Sequence, residues 1–385
     1  MQILSIEAEE FQLQSTVSEI NRMQIIPVNE RTFSLAESYL QPIEQKCVFL
    51  SQLVRKHSSD IYIIFDEDSC ESDKLDNSIN YDYRKSALIE KLCKSEKLEK
   101  LEKSEKSALS EKFQNVLGVF YLNHSIFHCF KDISKINIRE FTTLFSEILT
   151  QNQKIIKNIS GEKDGTDFLS AVLLNLSENP DSTFTKKINI KQINEYKLMV
   201  LPYQKSQEYQ NQQNNQKKSD FSDISKLSTL SNFYDFSAQN LYNDDFIMRC
   251  TENDMENLFE IEKKYLQEEV AVSDQKISDL EVSMHLRQIL KNQLCFALIS
   301  DDQIVSKANT NAIGKNWIQI GGVYTLFQFR QNGYAAHTVS TLCKRIVQAR
   351  KNISLFVKTK NLPAQQLYKK IGFTFHSDYK IVYFQ

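Results

Sequence analysis

The sequence predicts an α/β (α+β) chain of two domains in tandem, the second a mixed, mostly antiparallel sheet flanked by helices and the first an α/β domain open to the same fold. Three observations predict it. Short strand-like apolar runs alternate with segments whose apolar residues recur every three or four positions. A Gln/Asn/Ser-rich stretch at 204–235 separates two such series. A long strand pattern, Trp317 to Leu326, passes through a glycine-bearing turn into the strongest amphipathic helix of the chain, Tyr334 to Arg350.

Length and composition set the frame. At 385 residues the chain exceeds the roughly 250–300 at which single cores stop growing, and 41% apolar residues suffice for globular cores. Lys+Arg 47 against Asp+Glu 49, a formal net charge of -2, argues against a nucleic-acid partner. No basic start resembles a signal peptide, and no apolar run approaches the ~18–20 residues needed to span a bilayer. The expectation is a cytoplasmic protein with no membrane partner. The 7 cysteines include no C-x-x-C pair, which reads as reduced, buried thiols and no metal site.

The N-terminal domain is placed at 1–203. Leu35, Tyr39, Ile43, Cys47, Leu50 and Val54 follow helical spacing, with Pro42 bending or splitting the helix. Ile61 to Phe65 reads as a strand. A charged insertion at about 66–112 repeats a three-residue Lys/Glu unit that drifts around a helix without forming an apolar stripe. Val116 to Leu122 and Ser125 to Phe130 read as a hairpin. A helix at Phe141 to Leu149, a short strand at Lys154 to Asn158, a helix at Thr166 to Leu176 and a closing strand at Tyr196 to Leu201 follow.

The C-terminal domain is placed at 236–385. It opens with a strand from Phe246 to Cys250, then a helix carrying Met255, Leu258, Ile261 and Tyr265 with Asn253 as its cap, then a second helix with Leu280, Met284 and Ile289 inward. Strands at Cys295 to Ser300 and Ile304 to Asn309 turn at Asp301-Asp302. After the long strand and strong helix come a strand at Ser354 to Lys358, a helix at Leu362 to Ile371 ended by Gly372, and two strands at Phe373 to Phe375 and Tyr379 to Tyr383.

The junction between long strand and strong helix carries the chemistry. It reads Val323-Tyr324-Thr325-Leu326-Phe327-Gln328-Phe329-Arg330-Gln331-Asn332-Gly333-Tyr334-Ala335. A turn that opens a helix presents consecutive backbone N–H groups, which bind anions. Arg330-Gln331-Asn332-Gly333-Tyr334-Ala335 resembles the Q/R-x-x-G-x-G/A turn with which the GNAT superfamily of N-acetyltransferases holds the pyrophosphate of acetyl-CoA. Asn361-Leu362-Pro363-Ala364 through Tyr368 to Gly372-Phe373 resembles its N-x-x-A-x-x-x-Y-x-x-x-G-F signature, and Gly321-Gly322 lies in the strand that splays to admit the pantetheine arm. The resemblance covers about residues 240–385. Residues 61–201, without the insertion, echo the middle of the same fold as a degenerate copy. They have no such turn after Phe130, so coenzyme A binding is not expected there. Gln331 stands where glycine is frequent; it fits if its φ is negative, and a left-handed requirement there would count against the site.

The resemblance implies transfer of an acetyl group from acetyl-CoA to a primary amine, on a small molecule or a peptide, by direct attack in a ternary complex. Val323, Tyr324, Thr325, Arg330, Gln331, Asn332, Gly333, Tyr334, Ala335, Asn361, Ala364 and Tyr368 would bind the co-substrate. Tyr368 would protonate the leaving thiolate, and a backbone N–H near Tyr324 to Leu326 would receive the thioester oxygen. Glu269 is the candidate base, with Glu268 beside it. Gln319 and Asn309 are candidates to orient a water. His337, early in the strong helix, is read as a surface residue. The alternative is a non-catalytic regulatory protein that binds acetyl-CoA or CoA.

Overall fold

The computed structural model describes residues 23–30, 32–66, 116–180, 184, 186–203, 246–273 and 275–385. The charged insertion beyond Asp66 and the linker at 204–235 lie outside the described residues.

The first half contains β1 (Met23–Pro27), α1 (Phe33–Leu40), a 3₁₀ turn (Gln41–Lys46), α2 (Val48–Arg55), β2 (Ile61–Asp66), β3 (Val116–Leu122), β4 (Ser125–Phe130), α3 (Ile138–Asn152), β5 (Asn158–Glu162), α4 (Lys163–Glu178) and β6 (Ile190–Leu201). The second contains β7 (Phe246–Arg249), α5 (Met255–Tyr265), a π turn (Leu266–Val270), α6 (Asp279–Asn292), β8 (Cys295–Ser300), β9 (Gln303–Ile313), β10 (Trp317–Thr325), α7 (Tyr334–Gln348), β11 (Asn352–Lys358), α8 (Leu362–Ile371) and β12 (Thr374–Phe384).

Several elements differ from the sequence reading. Strand β1 is an addition: five residues ending in proline carry no alternation for a periodicity argument to find. Strand β5 begins where the expected strand ended, because Ile155 is exposed and the buried positions are Ile159 to Gly161. The helix α5 is preceded by a capping box of Thr251 and Asp254, not by Asn253. In α6 the expected inward residues Leu280 and Met284 are 69% and 61% exposed, whereas Val282, Leu286, Ile289 and Leu290 are buried. The two last strands are one, β12, bulged between Phe375 and Ser377. Pro42 does split its helix, and Asp301 and Asp302 both take positive φ, as a tight hairpin requires.

All described strands form one twelve-stranded sheet, in the order β1-β2-β3-β4-β5-β12-β6-β11-β10-β9-β8-β7. The order is symmetric about its centre except that the last strand of each half has crossed over. Strand β6 lies antiparallel between β11 and β12, with Leu201 opposite Ile353 and Tyr196 opposite Lys358. Strand β12 pairs with β5, Tyr379 opposite Glu162. Each half otherwise repeats one plan, with a single parallel pair, β4–β5 in the first and β10–β11 in the second. The cores follow the exchange. Met199 and Leu201 pack with Val339, Leu342 and Leu355 of the second half, and Val382 and Phe384 pack with Phe141, Leu169 and Leu173 of the first.

The halves are also clasped at one turn. Glu44, fully buried, accepts the backbone N–H of Lys315 at 2.5 Å and of Asn316 at 2.7 Å, and its Oε1 accepts the Ser51 hydroxyl at 2.7 Å. Gln52 accepts the Ile313 N–H at 2.5 Å. The first helices among the described residues thus cap the β9–β10 turn of the second half.

In the first half the parallel pair registers only to Phe127 opposite Ser160. Just beyond it sits His128, buried against Gly161 and Gly165, stacked on Phe130 with centroids 4.9 Å apart and bonded through Nε2 to Thr166 Oγ1 at 2.9 Å. Burial lowers its pKa from 6.5 to about 3. The Asn137 side chain takes the Arg139 and Glu140 amides at the start of α3, so that helix end is satisfied internally.

Two outcomes follow from these contacts. Glu44→Ala leaves two amides and a hydroxyl in the interior without their acceptor, and should lower unfolding free energy by about 3 kcal/mol or more. Urea titration followed by the fluorescence of Trp317, the only tryptophan, measures this. His128 is held neutral when folded and titrates near 6.5 when unfolded, so unfolding takes up a proton between those values. Its contribution is whole above about pH 6.5 and declines as pH falls toward 3. His128→Asn should remove about one proton from the slope of stability against pH in that window.

Candidate active site

The second half opens its parallel pair where the first half closes its own. Strands β10 and β11 register from Trp317 opposite Asn352 to Ile320 opposite Leu355, and no further. At that point β10 bulges against β9, three steps from Gly321 to Tyr324 facing two from Asn309 to Lys307. Gly322 has φ +56°, and a Cβ there would meet Asn309 Oδ1 at 1.9 Å, so both its conformation and its space demand glycine. The bulge turns β10 away from β11 and leaves a wedge between them.

A buried ion pair supports the bulge from behind. Glu262 on α5 and Lys307 on β9 meet at 2.8 Å, both essentially inaccessible. His285 Nδ1 lies 2.9 Å from the other carboxylate oxygen. Lys307 also donates to Asn309 Oδ1 at 3.1 Å and lies 4.6 Å from the centre of the Tyr265 ring. Burial raises the pKa of Glu262, but Lys307 and His285 more than reverse it, leaving it at about 2.

Beyond the wedge the chain enters α7. Its N-cap is Gly333, φ +81°, and no side chain caps this helix end. The first amides of α7 are therefore free of the kind of cap that Asn137 gives α3. Gln331 has φ +69°. The condition set on Gln331 is not met: the turn takes the left-handed form that glycine favours, which counts against the match of this turn to the pyrophosphate motif, and Gln331 adopts it at a cost of about 1–2 kcal/mol. Its side chain is exposed, so nothing blocks the conformation.

One cavity of about 820 Å³ joins these parts. It is lined by Val323, Tyr324, Thr325, Arg330, Gln331, Gly333, Tyr334, Ala335, Asn361, Ala364, Tyr368 and Glu269. Asn332 is the one member of the expected set outside the lining; its amide points back to the Phe329 carbonyl at 3.4 Å. Asn361 caps α8 through the Ala364 N–H at 3.1 Å. Tyr368 is 6% exposed, and burial pushes its hydroxyl pKa well above the ordinary value.

Arg330 does not offer a free charge. Its Nη2 lies 2.8 Å from each carboxylate oxygen of Glu268, and its Nε donates to the Thr325 carbonyl at 3.0 Å. Tyr324 donates its hydroxyl to the same carboxylate at 2.7 Å. Glu268 thus serves as a brace between the end of α5 and the turn before α7. The brace depends on the π turn Leu266–Val270, closed by Ala271 N–H to Leu266 O at 2.8 Å. Its neighbour Glu269 faces the cavity, 2.9 Å from the ammonium of Lys358.

Other expectations are corrected. Asn309 is fully buried, bonded to Lys307 and Asn311, and is not among the residues lining the cavity; Gln319 does line it. His337 is 4% exposed and is not a surface residue. The Leu326 N–H is occupied by the Val305 carbonyl at 2.9 Å; by strand alternation the Thr325 N–H is left facing the wedge. The five described cysteines are buried and free. Among the described residues no group of three or more His, Cys, Asp or Glu could hold a metal ion, and no helix is long and apolar enough to cross a membrane.

The sequence reading missed the wall contributed from the first half: Phe49 on α2, Phe127 on β4, Ser160 on β5 and Tyr196 on β6 all line this cavity. The strand exchange and the clasp of Glu44 and Gln52 on the β9–β10 turn bring them there, and no local pattern announces either. Gln331→Gly should retain the turn while relieving its strain, raising unfolding free energy by about 1 kcal/mol in a urea titration.

Residues 302–382 match the family described as FR47-like protein. No curated protein matches the chain. Among solved structures, a tandem GNAT protein from the clavulanic acid biosynthesis pathway aligns over 94% of this chain and 98% of its own, with 6% identity and a TM-score of 0.50. A Drosophila protein aligns over 93% of this chain and 98% of its own, with 9% identity and a TM-score of 0.51. A GNAT-family protein from Novosphingobium aromaticivorans aligns over 51% of this chain, which spans 66% of its length, with 12% identity and a TM-score of 0.33. Two halves of one plan, a wedge in the second and full-length likeness to a tandem GNAT protein lead to one statement: the chain has the GNAT fold in tandem, with an FR47-like segment in its second half.

Proposed function

We propose that this protein is an acetyl-CoA-dependent N-acetyltransferase whose reaction takes place in the second half, at 236–385, with the first half, 1–203, completing the acceptor end. The observation that carries this reading is the continuity of one cavity: it runs from the uncapped start of α7 through the wedge at Gly322 to Tyr368 and Glu269.

Acetyl-CoA would supply the acyl group as a thioester. The N-terminal amides of α7 suit its diphosphate, since free donors and the positive end of the helix dipole converge there. The wedge edge of β10 offers hydrogen bonds to the pantetheine arm, and the Thr325 N–H suits the thioester oxygen as it gains charge. A preorganised donor of this kind is worth roughly 10²–10³ in rate. In the transfer, a C–N bond forms as the C–S bond breaks. The amine loses one proton and the sulfur gains one, so no oxidant or reductant is needed.

Glu269 is the group in the cavity able to receive the amine's proton, directly or through a water. Tyr368 is suited to protonate the sulfur. Its raised pKa keeps the hydroxyl protonated at neutral pH. A thiolate with a parent pKa of about 8.5 is already a fair leaving group, so the tyrosine supplies only part of the rate.

Tyr368→Phe should lower kcat by about 10–10³ while leaving acetyl-CoA affinity within about twofold. Thiol release against a panel of amines, together with calorimetry of acetyl-CoA binding, tests it. Binding heat with no thiol release from any amine would favour a regulatory protein that binds the nucleotide without turnover.

A further inference from the structure

The far end of the cavity has a chemistry of its own, and it comes largely from the first half and the exchanged strands. Phe49 and Phe127 meet with ring centroids 4.7 Å apart. Tyr196 on β6, opposite Lys358, and Tyr383 on β12 add two more rings, and Tyr265 lies at the end of α5. Phe127 is the last registered residue of β4 with β5, so the cavity reaches from the open wedge of one half to the sealed wedge of the other.

Charge at this end is sparse. Glu269 is the only carboxylate among the lining residues, and Lys358 neutralises it at 2.9 Å. Burial raises the pKa of the Tyr196 and Tyr265 hydroxyls, which therefore stay neutral. A second or third ammonium on the acceptor would find no anion here, and each uncompensated charge taken from water is costly. Flat apolar groups, in contrast, would find ring faces and edges on several sides.

We infer that the acceptor is a small monoamine with an aromatic body, whose ring is held by Phe49 and Phe127 of the first half while its nitrogen reaches Glu269. The inference rests on the acetyltransferase reading and adds the acceptor class to it. The first half then acts as the specificity wall of a site whose co-substrate end belongs to the second.

The test uses the full chain with saturating acetyl-CoA and measures thiol release for 2-phenylethylamine, tyramine, phenylalanine, spermidine, kanamycin and a lysine-containing peptide. The expected result is a kcat/KM for the arylalkylamines at least about tenfold above spermidine, kanamycin and the peptide. Phe127→Leu, a milder change than alanine, should raise KM for 2-phenylethylamine about five- to tenfold and leave the acetyl-CoA dissociation constant unchanged. Equal or better turnover of spermidine, kanamycin or the peptide overturns the inference, as does an unchanged amine KM in the variant. A preference for phenylalanine over the arylalkylamines overturns it too, since it would mean that a zwitterion is read by Glu269 and Lys358. Faster turnover of benzoyl-CoA than acetyl-CoA with methylamine would put an acyl group at the aromatic end and also overturn it. Acetyl-CoA binding heat without release from any amine overturns the inference; absence of both heat and release overturns the acetyltransferase reading itself.

Discussion

The crossing of β6 and β12 at the centre of the sheet is the constraint on which the remaining architecture depends. Uncrossed, β6 would lie beside β5 and β12 beside β11, and each half would complete its own sheet. With the crossing, each half lends the other a full strand and the apolar side chains on it. Neither half then owns a complete core. The clasp of Glu44 on the Lys315 and Asn316 amides works in the same direction, fixing the first helices of one half to a turn of the other. A wall for the cavity is a by-product: Tyr196, Tyr379 and Tyr383 stand on the exchanged strands and line it from the middle of the sheet.

The two halves use one plan to opposite ends. Each has a parallel pair whose register stops after a few residues. In the first half, Gly161 and Gly165 give up their side-chain space to the His128 ring, and Asn137 satisfies the following helix. In the second, Gly321 and Gly322 bend β10 away, and the following helix is left without a side-chain cap. Glycine thus admits protein side chains in both halves, the His128 ring in the first and Asn309 and Asn311 in the second, and it is the bend of β10 that opens the second wedge. With the amides at the start of α3 already taken by Asn137, the first half has no uncapped helix end at this place, which is why it is suited to shaping the acceptor end and not to gripping a diphosphate.

How much of this was legible follows from the range of the interactions. The strand–turn–helix at Trp317 to Gln348 and the helix from Leu362 to Gly372 could be read because each is set by neighbours in sequence: periodicity, a proline in the first turn, a glycine past the end. Most of the expected co-substrate residues face one cavity for the same reason. What escaped was non-local. Phe49 and Phe127 reach the site through the strand crossing and the clasp of the first half on the β9–β10 turn. The partner of Arg330 could not be read because Glu268 lies 62 residues away and is aimed by a π turn that periodicity does not reveal. The inward face of α6 was misjudged because Leu280 and Met284 obey the same spacing as Val282, Leu286 and Ile289, and only packing decides between two such stripes.

The pair Glu262–Lys307 fixes the direction in which β10 bends. A buried ion pair is a poor source of stability, since desolvation offsets most of the attraction. Its value is directional. Lys307 is held by Glu262 on one side and the Tyr265 ring on another, and its third contact fixes the Asn309 side chain. Asn309 occupies the space where any side chain at position 322 would lie, so its position and the glycine's left-handed φ are set together. From the other side Glu268 ties Arg330 to the end of the same helix, and Arg330 ties the Thr325 carbonyl. The bulged strand is thereby gripped at both ends by carboxylates of one helix and its π turn, Glu262 and Glu268. An apolar pair in place of Glu262 and Lys307 could pack as well, but it would have no hydrogen bond with which to orient Asn309, and the bend in β10 would lose its fixed direction.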